Sequence, residues 1–498
     1  MLAAEPTVRA IYLRRGYAKG EWLPGLSDLD FQVIVDGLDN KNQERLLRKY
    51  SRFSRLAVLP DEILAIQEGK TLLDQLENPR KKYRLMEGRA TWKLLYGKDY
   101  IAELPELAVE DMVSGLHSEI AVWWTIFAWR LLQSKSNQRE PITCNSICYK
   151  AVAETLKVDL ALNRGILTFI RDEALAHAKT HLQERDRRLI EKMESIARRR
   201  FVGKDKVILN EALSFLLRHI DSLYENYPYS GMQIGTRIDC RKEEQLWSED
   251  QYDHVKTLIN HVTGRWTGTF HGAHLAASYA NDLDELLLLI AVNPQKFPTA
   301  EQLQDLYEFH ASSPGLRSPV RVYVLVQSAA FQLDATYYTG GWRSIISPLT
   351  NADVFGFVTL PEFTLEGQAF ASRLDTVWTP IAEELCRARH LALLGRLRSS
   401  SVDTLSNLEF LRLFWKVVQL EIINRSAKKG EVVFAHSLVA IERASVTHGI
   451  TLPDDFQPLA DAFRDEFQGR SRNVAALVPK AIRYLEGLQR QSDSADYS

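Results

Sequence analysis

The chain has 498 residues, with 62 Lys and Arg against 64 Asp and Glu, a formal net charge of −2 and 45% hydrophobic residues. That length allows two or more domains with ample buried core. The near-neutral balance argues against a surface that tracks nucleic acid, which needs a basic face. No apolar run is long enough to span a bilayer, and Met1-Leu2-Ala3-Ala4-Glu5 lacks the charged and apolar regions of a signal peptide. Cys144, Cys148, Cys240 and Cys386 show no zinc spacing and no disulfide framework. The expectation is a cytoplasmic protein without membrane or nucleic-acid partners.

Val8-Arg9-Ala10-Ile11-Tyr12-Leu13 is rich in β-branched and aromatic residues and reads as a strand. Gly16, Gly20, Pro24 and Gly25 then force a turn, and Phe31-Gln32-Val33-Ile34-Val35 reads as a second strand. Asp28 and Asp30 open that strand, and side chains two apart on a strand share a face. Two carboxylates beside a glycine turn make a hard-oxygen site suited to Mg²⁺, which uses one or two protein carboxylates and leaves positions for substrate phosphates. A third strand falls either at Arg55–Leu59, which holds no acid, or along Asp61-Glu62-Ile63-Leu64-Ala65-Ile66. Pro60-Asp61-Glu62 also reads as a helix start, the preferred reading. Residues 106–227 read as mostly helical. Arg185 to Arg200 is a basic run interleaved with acids and is expected to be a solvated helix face. Trp123 and Trp124 are expected to pack between helices.

Strand, glycine, loop, Ser27-Asp28-Leu29-Asp30, strand resembles the nucleotidyltransferase superfamily that includes DNA polymerase beta, and more closely its small-molecule, aminoglycoside-modifying members. Arg89–Tyr100 resembles the segment leading out of the family's catalytic domain. Lys150–Ala174, with Arg164-Gly165 at its centre, resembles the helical domain that closes over the nucleotide. The resemblance covers roughly residues 8–227. It implies that Asp28 and Asp30 ligate metal, that Gly16, Tyr17 and Ser27 lie against the triphosphate, and that Arg171, six residues after Gly165, contacts phosphate. It also implies a third acid as general base, for which Glu62 is the candidate. Two departures stand out. The family's Gly-Ser turn is replaced, so either Tyr17 follows Gly16 or Arg15-Gly16 takes the Gly-Ser place; the hydroxyl is missing either way. Without a third acid a hydroxyl acceptor lacks its base, whereas a carboxylate acceptor, already ionised, needs none.

The pattern is echoed about 250 residues later. Gly264–Gly272 is expected to enter a second sheet, with His271 and His274 flanking Gly272 in its turn; Asn281-Asp282-Leu283-Asp284 opens Glu285–Val292, and Val320–Val326 forms the third strand. Val354-Phe355-Gly356-Phe357 echoes Leu94-Leu95-Tyr96-Gly97, and Lys429-Gly430 with His436 echoes Arg164-Gly165 with Arg171. This copy is the more eroded: Ala273 follows Gly272, the loop to Asp282 is about a residue short, Arg321 stands near the place of a third acid, and His436 replaces the basic phosphate contact. It is expected to be non-catalytic. His254 and His261, seven apart on one helix, are expected in ordinary surface or core placements rather than as metal ligands.

The expected fold is therefore α+β: two tandem copies of a nucleotidyltransferase mixed-sheet domain, each followed by a helical bundle, forming an intrachain pseudo-dimer. The units expected are 1–105 and 106–228 (first copy), a linker 229–249, and 250–365 and 366–498 (second copy). The expected activity is Mg²⁺-dependent transfer of a nucleotidyl group, adenylyl from ATP or another NTP, to a small-molecule acceptor with loss of pyrophosphate. The alternatives are carboxylate adenylation leading to an amide or ester, and a non-catalytic nucleotide- or partner-binding pseudoenzyme.

Overall fold

The computed structural model describes residues 2–21, 29–37, 65–69, 79–128, 141–199, 206–227, 249–277, 286–293, 295–312, 320–326, 345–346 and 438–467, with scattered single positions beside them. The first half builds β1 (Val8–Arg14), a single helical turn α1 (Arg15–Ala18), β2 (Asp30–Val35), β3 (Ala65–Glu68), α2 (Pro79–Thr91) and β4 (Lys93–Gly97). Helices α3 (Val113–Phe127), α4 (Pro141–Arg164), α5 (Arg171–Lys179), α6 (Glu184–Arg198) and α7 (Lys206–Asn226) follow. The second half opens on α8 (Glu249–Arg265), then β5 (Phe270–Ala277), β6 (Leu286–Val292), α9 (Ala300–Ser312), β7 (Val320–Val326) and β8 (Ile345–Ile346). Helices α10 (Leu438–His448) and α11 (Phe456–Phe467) are described further on. No helix of the described residues is long and apolar enough to cross a membrane.

The two four-stranded sheets have the same plan. The first runs β3-β2-β1-β4 and the second β7-β6-β5-β8. In each, the two leading strands pair antiparallel, the third joins the second in parallel, and the fourth pairs antiparallel with the first. In the first sheet Ala10, Tyr12 and Ile34 pack into the main core with the helices, while Val8, Val33, Val35 and Ile66 form a smaller core with Leu46 and Tyr50 on the other face. Residues 10, 12, 14 and 30, 32, 34 therefore share the helix-facing side. The main core continues into the second half through α8, β6, α9 and β7. Helix α7 meets that half directly, since Asn210 Oδ1 accepts the Ala300 N–H at 2.6 Å at the start of α9.

The helices follow from their apolar spacing. In α6, Leu189, Ile190, Met193 and Ile196 are buried on one stripe, acids occupy the first turn and Arg198 the last. Arg187 and Arg188 pair with Glu184 on its outer face. Helix α4 ends where Gly165 turns left-handed at φ 66°, and the Ile166 N–H reaches back to Leu160 O at 3.1 Å. Trp124 is buried against Phe127 at 6.1 Å between ring centres.

The structure moves three expected elements. The third strand is Ala65–Glu68, running parallel to β2 with Ile34 beside Gln67, so this stretch ends as strand rather than helix. In the second half, Glu249–Arg265 is helix and so contains Gly264, buried Trp266 closes it, and Gly268 at φ 73° makes the turn. Gly272 and Ala273 consequently lie inside β5, not in the turn after it. The connection to β6 spans residues 278–285, whereas residues 15–29 join β1 to β2. Asp282, Asp284, Gly356, Lys429, Gly430 and His436 lie outside the described residues, as do residues 229–248.

Gly97 is the tightest backbone contact of the first sheet. It stands at φ 86°, and a Cβ there would lie 1.8 Å from Arg9 O across the β1–β4 pairing. Gly97→Ala is expected to cost about 1–3 kcal/mol from backbone strain, with the clash on top. A urea melt checks this: a midpoint within error of wild type would show that β4 does not pair here as described.

Candidate active site

The site is built where β1 ends and β2 begins. Arg14 and Asp30 are direct partners across the two strands, and β1 passes straight into α1. Arg15 takes a left-handed backbone at φ 55°, which a side chain makes costly and glycine does not. The Glu21 N–H then closes the turn onto Gly16 O at 2.8 Å, and Tyr17 is half-exposed beside it.

Asp30 is the first residue of β2, with its side chain only 8% exposed. Its Oδ1 lies 3.0 Å from Arg15 Nη1, yet receives no aligned hydrogen bond among the described residues. The pair is therefore a charge contact rather than a hydrogen-bonded bridge. Gln32, next on the same face, accepts from Arg14 Nη1 at 3.1 Å, and the Arg14 guanidinium lies 6.0 Å over Trp92. On β3 the positions on this face are Ala65 and Gln67, and the buried Gln67 Nε2 has no hydrogen-bond partner among the described residues. Glu68 points to the other face. A buried carboxylate oxygen lacking a donor, beside a turn, fits a divalent cation held by one or two carboxylates. Among the described residues no three His, Cys, Asp or Glu side chains group into a closed metal cage. Asp28, Ser27 and Glu62 lie outside the described residues.

Arg171 is brought to the same turn, but its charge is already met. Its Nη1 donates to Glu21 Oε2 at 2.7 Å, its Nε to Glu154 Oε1 at 2.8 Å, and its guanidinium lies 5.5 Å over Trp123. The Arg171 backbone N–H also donates to Glu21 Oε1 at 2.6 Å, so Glu21 caps α5, whose preceding residue supplies no side-chain cap. A second buried chain lies alongside. Lys19 pairs with Glu87, and Arg84 bridges Glu87 at 2.8 Å and Glu119 at 2.7 Å. Lys157 meets Glu154 at 3.2 Å and donates to Phe169 O at 2.7 Å. Lys19, Arg84, Lys157 and Arg171 thus face Glu21, Glu87, Glu119 and Glu154, four cations against four carboxylates. Burial would raise the Glu154 carboxyl, but Lys157, Arg171 and Lys19 outweigh it and hold it down to about 2. Glu87 is likewise held well below the usual carboxylate range, with Arg84 and Lys19 overcoming its burial. Burial pushes Lys157 down despite Glu154. This network ties the β1–β2 turn to α2, α3, α4 and α5.

Sequence reasoning missed Lys19, Glu21, Glu87 and Glu154. Their partners lie 17 to 150 residues away, apart from short helical pairings, and no local pattern marks them. In the second half two histidines meet each other and a third meets an aspartate. His254 Nε2 and His310 Nδ1 are 2.7 Å apart, and His310 Nε2 lies 2.9 Å from Val320 O. His261 meets Asp305 at 2.8 Å. Burial, with His310 alongside, pushes His254 down to about 4, and burial also lowers His310.

These shifts predict two acid transitions. A buried neutral histidine stabilises above its unfolded value of 6.5, and that contribution is lost as pH falls toward about 4. The depressed carboxylates of the first half stabilise above their unfolded 4.5 and lose that only as pH falls through about 2. Hydrogen exchange, corrected for intrinsic rates, should therefore show peptides of 249–312 opening at higher pH than peptides of 141–179. The reverse order would contradict these assignments.

No family model matches the chain, and no curated protein does. Among solved structures, the chain is similar to a spectinomycin adenyltransferase from Enterococcus faecialis, crystallised with ATP and spectinomycin. That similarity has 14% identity and a TM-score of 0.29, over 43% of this chain and 94% of that one. A superposition this loose assigns neither activity nor substrate.

Proposed function

We propose that the first copy is a Mg²⁺-dependent nucleotidyltransferase that moves an adenylyl or other nucleotidyl group from an NTP to a small-molecule acceptor, releasing pyrophosphate. The observation that carries this reading is Asp30: a buried carboxylate at the head of β2, with an oxygen that takes no aligned hydrogen bond among the described residues, beside the turn that follows β1. Asp28 and Asp30 would hold the metal, which, when bound, offsets charge on the triphosphate. The turn at Gly16 and Tyr17, with Ser27 ahead of the acids, would lie against the phosphates. Arg171 stays with Glu21 and Glu154, so its task in this reading is to fix the turn, and a phosphate contact requires its guanidinium to leave one of them. Glu62 is the proposed base if the acceptor is a hydroxyl.

The β3 residues favour the carboxylate variant as a second reading. On the Asp30 face the described positions of β3 hold Ala65 and Gln67, neither of which accepts a proton as a base. Duplication of the unit is part of the proposal, supported by the common strand order and directions of the two sheets. A non-catalytic second copy is part of the same proposal, supported by the sequence, where Ala273 follows Gly272 and Arg321 stands near the place of a third acid. The test is pyrophosphate release with each NTP over panels of alcohols, amines and carboxylic acids, with hydroxylamine added to trap acyl-adenylates. Hydroxamate confined to the carboxylic acids selects the second reading. Absence of pyrophosphate with every combination would leave nucleotide or partner binding without chemistry.

A further inference from the structure

We propose that Arg15 is a built-in counter-cation of this site. It neutralises Asp30 while the site is empty and turns to the phosphates when nucleotide and divalent cation enter. The proposal rests on the nucleotidyl-transfer reading and adds a residue and an order of events to it.

Three observations carry it. Arg15 is one of two described non-glycine residues at positive φ, the other being the buried Phe201, and this backbone costs about 1–2 kcal/mol for an L-residue. A side chain is thus kept where glycine would relieve strain. Second, Arg15 Nη1 lies 3.0 Å from a buried Asp30 oxygen that takes no aligned hydrogen bond. A small divalent cation, with its higher charge density and preference for carboxylate oxygen, competes well against such a contact. Third, the Arg15 side chain is 49% exposed, whereas Arg171 is 13% exposed and held by two carboxylates. Arg15 can turn toward solvent without stranding a buried guanidinium; Arg171 cannot. The turn Arg15-Gly16-Tyr17-Ala18-Lys19-Gly20 has no Ser or Thr hydroxyl, and a planar guanidinium fork that binds phosphate oxygens in pairs supplies the missing donor.

The same side chain then acts in opposite senses on two ligands. It competes with a metal ion arriving alone, and it helps a metal arriving with a triphosphate. The experiment uses the full chain, with Mn²⁺ as a spectroscopic probe and a non-hydrolysable ATP analogue. Free Mn²⁺ is read by electron paramagnetic resonance, and nucleotide affinity by titration at saturating Mn²⁺. Arg15→Ala should bind Mn²⁺ alone more tightly and the analogue more weakly, each by on the order of tenfold, the equivalent of about 1.4 kcal/mol. Arg15→Lys should keep the wild-type Mn²⁺ affinity and still lose analogue affinity, because an ammonium lacks the fork. A folding defect lowers both affinities and so cannot imitate this pattern. Mn²⁺ affinity that is unchanged or lower in Arg15→Ala, or analogue affinity that is unchanged, overturns the role of Arg15 and leaves the nucleotidyl-transfer reading in place. Absence of both Mn²⁺ and analogue binding from wild type and variants alike overturns the two together.

Discussion

Asp30→Asn is expected to lower turnover at least about a thousandfold while leaving the fold intact. Charge stabilisation through a metal held by carboxylate is worth several kcal/mol at the transition state, and asparagine keeps the shape but not the charge. The fold should tolerate the change. Arg15, the charged partner of Asp30, is half-exposed and can be hydrated, so the thermal midpoint should move by less than the equivalent of about 1 kcal/mol. Asp28→Asn should behave the same way toward turnover. Pyrophosphate release compared at matched protein concentration checks the claim. Near-normal release from Asp30→Asn, with an unchanged melt, would falsify the metal-holding role.

The second large effect is structural. Arg171→Ala should destabilise the chain by about 3–5 kcal/mol, because it leaves Glu21 and Glu154 buried without their common cation, while the Glu21 cap on the backbone N–H of position 171 remains. Truncating one member of a buried network costs far more than the network itself is worth. Pairing Arg171→Ala with Glu154→Gln should therefore cost less than the sum of the two single changes. Urea unfolding of the four proteins gives the coupling directly. Strict additivity would mean that the two residues do not meet. The same substitution should weaken nucleotide binding indirectly, by loosening the turn.

Much of this arrangement was legible in the residues. β1 and β2 announce themselves by β-branched alternation around a glycine-bearing turn, and α3 and α7 by apolar spacing over 120–132 and 207–224. The third strand was ambiguous because Ala65-Ile66-Gln67-Glu68 is short and half polar, with one β-branched residue, and takes its strand character from pairing with β2. The first strand of the second sheet was misplaced for a related reason. Gly264, Gly268 and Gly272 look like a strand-and-turn signal, while the true strand contains Ala273, Ala276 and Ala277, which have weak β-preference. Of the residues proposed for the site, the structure describes Asp30, Gly16, Tyr17 and Arg171. Arg15 stood in the glycine place in only one of two readings of the turn, and its contact with Asp30 depends on a backbone angle that sequence does not display. The Glu21–Arg171 link joins residues 150 apart and exists only once α5 packs beside the turn.

The most direct test of the central claim is peptide-resolved hydrogen exchange of the full chain with a non-hydrolysable ATP analogue and Mg²⁺. The account predicts metal-dependent protection in peptides covering residues 8–35, spreading to the linked segments at 141–179, and none in 270–292. Protection confined to 270–326 would contradict it and move the nucleotide site to the second sheet.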